Sequence, residues 1–257
     1  MAGRIGTAVA ASVLAALAAG LAGGVPPAGA TVPAGQPAFY TSQAPDGAAT
    51  AGQKVIALTF DDGPGPSTPA VLSVLEQYHV AATFFEIGEE VQNDPHGAQM
   101  VTAAGYPVED HTWSHPDLTT LPAAAVGAQV DQTQAEIRSV TGTTPQCVRP
   151  PYNAWNATVL GQIGQRGLTT MSYSIDPKDW TLPGVAAIVQ NVVGAAFPGG
   201  VVDMHDGGGN RSETVAALPA IISELRAEGY TFVSICGGSA FGPQVTATYG
   251  FGDAPAP

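Results

Sequence analysis

Several side chains in this sequence are able to do chemistry. They are the adjacent carboxylates Asp61 and Asp62, the imidazoles His111 and His115, Arg149, the carboxylates Asp176 and Asp179, and a lone His205. If the stretch from His111 to His115 forms a helical turn, the two imidazoles face the same way, close enough to share a metal ion. One carboxylate of the Asp pair then completes a two-His, one-carboxylate set that leaves positions open for water and substrate, as in a catalytic zinc site. The same donors around non-haem iron suit an oxygenase. Neighbouring residues on a strand point to opposite faces, so one Asp can serve the metal while the other reaches the substrate side. Taken singly, each Asp or His at a strand end is ordinary turn chemistry. Jointly, two carboxylates, a His pair and a further His exceed what turns require.

The scaffold that must gather these residues is legible as alternating patterns. Short apolar, β-rich runs occupy residues 54–60, 82–87, 107–110, 147–149, 169–175, 200–204 and 230–235. Apolar residues at helical spacing occupy 68–78, 98–104, 123–140, 157–165, 185–196 and 212–227. Strand followed by helix, repeated about seven times, predicts a single α/β catalytic domain over residues 53–240 built on a parallel sheet. Periodicity leaves a closed or distorted barrel and an open doubly wound sheet both open. No G-x-G-x-x-G opens the first helix, which weighs against a dinucleotide site. In either architecture the functional loops lie at the C-terminal ends of the strands, and the reactive residues all fall there.

Composition narrows the setting. The 257 residues carry a net charge of −13, which argues against nucleic acid or an anionic membrane surface as partner. Arg4, the Ala/Leu-rich run from Ala8 to Leu21 and the small residues Ala28-Gly29-Ala30 read as a secretory signal peptide over residues 1–30. A membrane anchor is the competing reading, but a spanning helix needs about 20 continuous apolar residues and this run is interrupted by Gly. The expected product is a secreted, extracellular protein, free of the membrane after signal cleavage and monomeric. Residues 31–52 read as a flexible linker and 241–257 as a flexible tail. Cys147 and Cys236 fit one disulfide in an oxidising compartment, with two buried thiols as the alternative. Glu86, inside an apolar run, is expected outward or at a rim. The Gly-rich residues 207–212 read as a flexible loop. Trp113 and Trp155 either stack on sugar or pack.

The motifs then become specific. TFDDGP at 59–64, HTWSH at 111–115, RPPY at 149–152, DPKDW at 176–180 and MHD at 204–206 resemble, in order, the five motifs of the polysaccharide deacetylases of carbohydrate esterase family 4. The resemblance covers about residues 53–236. It implies a distorted (β/α) barrel of about seven parallel strands, and hydrolysis of N-acetyl groups on N-acetylglucosamine polymers of the chitin or peptidoglycan type. O-deacetylation, as in an acetylxylan esterase, and an inactive carbohydrate-binding module are the alternatives. By the same resemblance a divalent metal, zinc before cobalt, is held by Asp62, His111 and His115. Asp61 is the general base, positioned by Arg149, and His205 is the general acid. Asp179 orients His205 ahead of Asp176, and the Tyr152 backbone N–H stabilises the oxyanion. Trp180 forms part of the pocket for the acetyl methyl, and Pro151 is a further substrate-binding residue. One position departs from the pattern: Asp203 stands where relatives usually have an apolar residue, typically Leu, in the acetyl pocket. That Asp makes the pocket more polar, raises the pKa of His205, or points away through a change of register.

Overall fold

The computed structural model describes residues 37–38, 54–242 and 244–245. The expected signal peptide, most of the linker and most of the tail lie outside the described residues. Strands β1 (Pro37–Ala38), β2 (Lys54–Gly63), β3 (Ala82–Glu86), β4 (Val108–Asp110), β5 (Cys147–Val148), β6 (Thr169–Met171), β7 (Gly200–His205) and β8 (Tyr230–Phe232) form one parallel sheet. Its order is β1-β6-β5-β4-β3-β2-β7, with β8 pairing β2. A small second pair joins β9 (Ser234–Ile235) to β10 (Gln244–Val245). The connections are helices α1 (Thr68–Tyr78), α2 (Gly88–Asn93), α3 (Pro95–Ala103), α4 (Ala123–Thr141), α5 (Ala157–Gln165), α6 (Val185–Gly194) and α7 (Ser212–Ala227). Among the described residues no helix is long and apolar enough to cross a membrane.

The sheet curls into a distorted barrel, and a break in one predicted strand helps close it. Residues 169–175 are not one strand. β6 ends at Met171, and Ile175 bridges in parallel to Val202 of β7. Ile175 N donates to Val201 O and Asp203 N donates to Ile175 O, which ties the two margins of the sheet together. Described residues from the expected linker and tail also join the body. Pro37 and Ala38 pair with Thr170 and Met171, and Phe241 packs on Tyr106 and His79.

Alternation along the strands separates two cores. Ile56, Leu58 and Phe60 of β2 join a large cluster with residues of α1, α6 and α7, while Val55 and Ala57 join a smaller cluster with Phe85, Met171 and Val201. By the two-residue period of a strand, Thr59 and Asp61 continue the file of Val55 and Ala57, and Asp203 and His205 continue that of Val201. Each inward file is apolar at its N-terminal end and polar at its C-terminal end. That switch is what builds a reactive floor on a packed barrel. Glu86 shows the limit of the same reasoning. It was expected outward, yet β3 is a central strand buried along its whole length, so the Glu86 side chain has no water-facing side. Burial, then Asp206 and Asp94, push its carboxyl well above the usual range, and neither oxygen has a hydrogen-bond partner.

Cys147 and Cys236 are bridged, with Cα atoms 5.9 Å apart and a sequence separation of 89. Beside them Glu109 accepts from the Gln146 and Cys147 backbone N–H groups, and burial lifts its pKa to about 8. Closing a loop of this length restricts the unfolded chain strongly. Replacing both cysteines by Ser is expected to lower unfolding stability by about 4 kcal/mol. The check is the midpoint of a denaturant titration, and an unmoved midpoint contradicts it.

Candidate active site

The reactive side chains meet in one cleft of about 480 Å³ at the C-terminal ends of the strands, lined by Asp61, Asp62, His111, His115, Asp203 and His205 among others. Asp61 and Asp62 both face it. Strand alternation alone would part them, but the β2–β3 register shifts between Asp61 and Gly63, and Asp62 has φ 70°. That left-handed conformation, which Asp tolerates better than most residues, turns Asp62 onto the same rim.

The two imidazoles do not lie on a helical turn. β4 ends at Asp110, and the segment from His111 to His115 is irregular, with φ 70° at Thr112 and 56° at His115. Asp110 holds it: Oδ1 accepts from Thr112 N at 2.7 Å, and Oδ2 accepts from Gln134 Nε2 at 3.0 Å. His111 Nδ1 lies 2.8 Å from Arg149 O, a bond it must donate, which leaves Nε2 facing Asp62. His115 Nδ1 lies 3.2 Å from the Tyr152 hydroxyl. Burial, then the neighbouring His111, lower the His115 pKa and favour the neutral ring.

These residues fit a metal. Asp62 Oδ1 lies 3.5 Å from His111 Nε2 and 3.4 Å from His115 Nε2, and it is buried with no hydrogen-bond partner. A tetrahedral zinc with bonds of about 2.0–2.2 Å sets neighbouring ligand atoms about 3.4 Å apart. Gly207 and Gly208 pack behind Asp62. A Cβ on Gly207 would fall 1.9 Å from Asp62 O, and one on Gly208 2.4 Å from Asp62 Oδ2. The Gly-rich loop is therefore a close-packed wall, tied by Arg211 to the carbonyls of Gly207 and Gly208, rather than a loose connection.

Two further groups flank these donors. Asp61 Oδ1 is bound at 2.7 Å by Nη1 of Arg149, the largest of the fully buried side chains, and Asp61 Oδ2 lies 3.6 Å from His111 Nε2. Burial favours the neutral acid, but Arg149, His111 and His205 outweigh it and lower the Asp61 pKa. On β7, where it pairs in register with Asp61 of β2, His205 has its Nδ1 2.8 Å from Asp179 Oδ1. Asp179 Oδ2 accepts from His205 N and from Thr214 Oγ1, so the carboxylate is fixed from three sides. Burial opposes the imidazolium, yet the hydrogen bond to Asp179 and then the charges of Asp203, Asp179 and Asp61 raise His205 to about 10. The two flanking groups are thus an ionised carboxylate and a protonated imidazole.

This arrangement matches a known family. Residues 48–171 match the family model described as polysaccharide deacetylase. The chain is 39% identical over 209 residues to a chitooligosaccharide deacetylase of Rhizobium leguminosarum bv. trifolii, covering 76% of this chain and 97% of that protein. The chain belongs to the polysaccharide deacetylase family. It is also 39% identical over 186 residues to a peptidoglycan-N-acetylglucosamine deacetylase of Bacillus cereus, covering 71% of this chain and 87% of the relative. The solved structure of the Bc1960 peptidoglycan N-acetylglucosamine deacetylase superposes with a TM-score of 0.72 at 30% identity, over 78% of this chain and 91% of that one.

Within this polysaccharide deacetylase, Trp180, Asp203 and Pro150 line the cleft, whereas Pro151, buried like Pro150, is not among the lining residues. Asp176 stands at the cleft wall paired with Lys178, leaving the contact to His205 with Asp179. β7 runs in register with β2, so Asp203 points inward and is not turned away. Trp155 packs against a core cluster, and Trp113 lies against Gly88. Sequence reasoning missed Asp110, Gln134, Thr214 and Gly207. Their work is to hold other residues, and only the Gly run directly after His205 carried a readable signal.

Proposed function

We propose that this chain is a secreted, metal-dependent hydrolase that removes N-acetyl groups from N-acetylglucosamine polymers of the chitin or peptidoglycan type. The observation that carries the reading is the gathering of Asp61 and His205 with the Asp62, His111 and His115 donors in one cleft. The names of the chitooligosaccharide and peptidoglycan relatives support the choice of an amide over an ester. The disulfide supports an extracellular setting. Asp62, His111 and His115 would hold the metal, with zinc the best match to one oxygen and two nitrogen donors and cobalt a substitute. When bound, such a metal supplies a water acidic enough to ionise near neutrality and polarises the acetyl carbonyl.

The chain's own residues do the rest. Arg149 holds Asp61 Oδ1, leaving Oδ2 on the donor side to take the proton of the attacking water. The Tyr152 backbone N–H is assigned the second contact to the oxyanion. His205, with Nδ1 engaged by Asp179, presents Nε2 to the departing nitrogen and protonates it. Exposed Trp180 and Tyr152 stand on the rim, where apolar sugar faces can rest.

The Asp179 contact sets the pH range. Asp179→Asn removes the charge-assisted hydrogen bond to His205, leaving only the charges of Asp203 and Asp61 to support its proton, so its pKa falls from about 10. The alkaline limb of the kcat profile is expected to move toward neutrality, and kcat at pH 8 to drop at least ~tenfold. A profile with an unmoved alkaline limb contradicts this role. The reading as a whole is tested by acetate release from chitooligosaccharides and peptidoglycan, with zinc-loaded and metal-stripped protein. Metal-dependent release from either supports it. Better hydrolysis of acetylated xylan moves it to the ester, and no release from any acetylated glycan overturns it.

A further inference from the structure

We propose that Asp203 is a specificity-determining residue that admits hydroxylated acyl groups, the N-glycolyl amide first among them, to this cleft. The inference rests on the deacylase reading above. On β7, Asp203 faces the same way as His205, two residues on, and pairs in register with Thr59. Its Oδ1 lies 3.2 Å from Nη1 of Arg149, the same nitrogen that binds Asp61 Oδ1 at 2.7 Å and Thr59 Oγ1 at 2.8 Å. Three acceptors thus meet a nitrogen with two hydrogens, so Asp203 is held in place without its capacity being used up.

Depth decides which part of a substrate reaches it. Asp203 is only 5% exposed, whereas Tyr152 and Trp180 on the rim are 68% and 50% exposed. A sugar polymer stays at the rim. In the bound amide, the carbonyl oxygen turns to the Asp62, His111 and His115 side and the nitrogen to His205, on the sugar side. The remaining substituent of the carbonyl carbon is the one that can point to the floor where Asp203 lies. A methyl there leaves a buried carboxyl facing carbon, which costs desolvation without return. A hydroxymethyl gives it a hydrogen-bond partner whether the carboxyl is charged or neutral. Burial and the charge of Asp61 raise the Asp203 pKa well above the usual range. In the reaction, water's hydroxyl joins the acyl carbon, the C–N bond breaks, a proton goes to nitrogen, and glycolate and the free amine are released.

The test compares kcat/KM of the zinc-loaded protein on N-glycolyl- and N-acetylglucosamine oligomers of equal length, reading glycolate or acetate. The wild-type protein is expected to hydrolyse the glycolyl amide at least as well as the acetyl amide. Asp203→Leu is expected to lower the glycolyl-to-acetyl ratio about tenfold, and Asp203→Asn, which keeps polar atoms, to leave it within about threefold. A wild-type preference of about tenfold or more for acetyl overturns the inference, even if the Leu variant fails to fold. So does an equal loss on both substrates in Asp203→Leu, which would mean that Asp203 acts only by holding Arg149. Release of neither acid by the wild-type protein would instead overturn the deacylase reading itself.

Discussion

Asp61→Asn is expected to lower kcat about a hundredfold to ten-thousandfold while zinc binding persists, the range for removal of a general base. The substitution is nearly isosteric. An amide oxygen can still accept the bond from Arg149 Nη1, so the guanidinium keeps a partner in a site where it is wholly buried. What is lost is the acceptor on the donor side, Oδ2, which the amide replaces with an N–H group that cannot take a proton. The donors Asp62, His111 and His115 are untouched. Stopped assays of acetate release, paired with metal analysis of the same preparation, separate the two effects. Full activity in Asp61→Asn would remove Asp61 from the mechanism, and loss of metal would make it a ligand.

The second large effect belongs to His205. His205→Ala is expected to reduce hydrolysis of the N-acetyl amide by about a hundredfold to ten-thousandfold. An amine leaves poorly without a proton, whereas an aryl oxide leaves without help. On an aryl acetate the same variant is therefore expected to lose less than about tenfold. This split distinguishes proton donation from general damage to the cleft, which would depress both substrates alike. His205 is well placed for such selectivity, because Asp179 engages only Nδ1 and the backbone N–H. Equal losses on amide and aryl ester would contradict the assignment.

The fold was legible because its strands are buried and its helices amphipathic. α1, α5 and α7 occupy the residues that the helical period marks, 68–78, 157–165 and 212–227. The reactive residues were legible because parallel strands all end on one rim, so residue types at strand ends report on one place. Local geometry was not legible. The His pair was read onto a helical turn, yet Asp110 and left-handed residues at Thr112 and His115 shape an irregular loop that brings both rings to Asp62. The i, i+4 spacing suits either, and the holding carboxylate comes from the strand before it. Glu86 was misjudged because its burial depends on strands β2 and β4 beside it, which no local window contains. Residues 169–175 read as one strand because the apolar run is continuous, although the chain leaves β6 after Met171 to reach β7.

The most direct measurement is calorimetric titration of chelator-stripped protein with zinc, for the wild type, His115→Ala and Asp61→Asn. The geometry predicts one zinc per chain in the wild type, retained in Asp61→Asn and weakened more than about a hundredfold in His115→Ala. A wild type that takes up no stoichiometric metal, or a His115→Ala protein that binds it equally well, would contradict a metal centre on Asp62, His111 and His115.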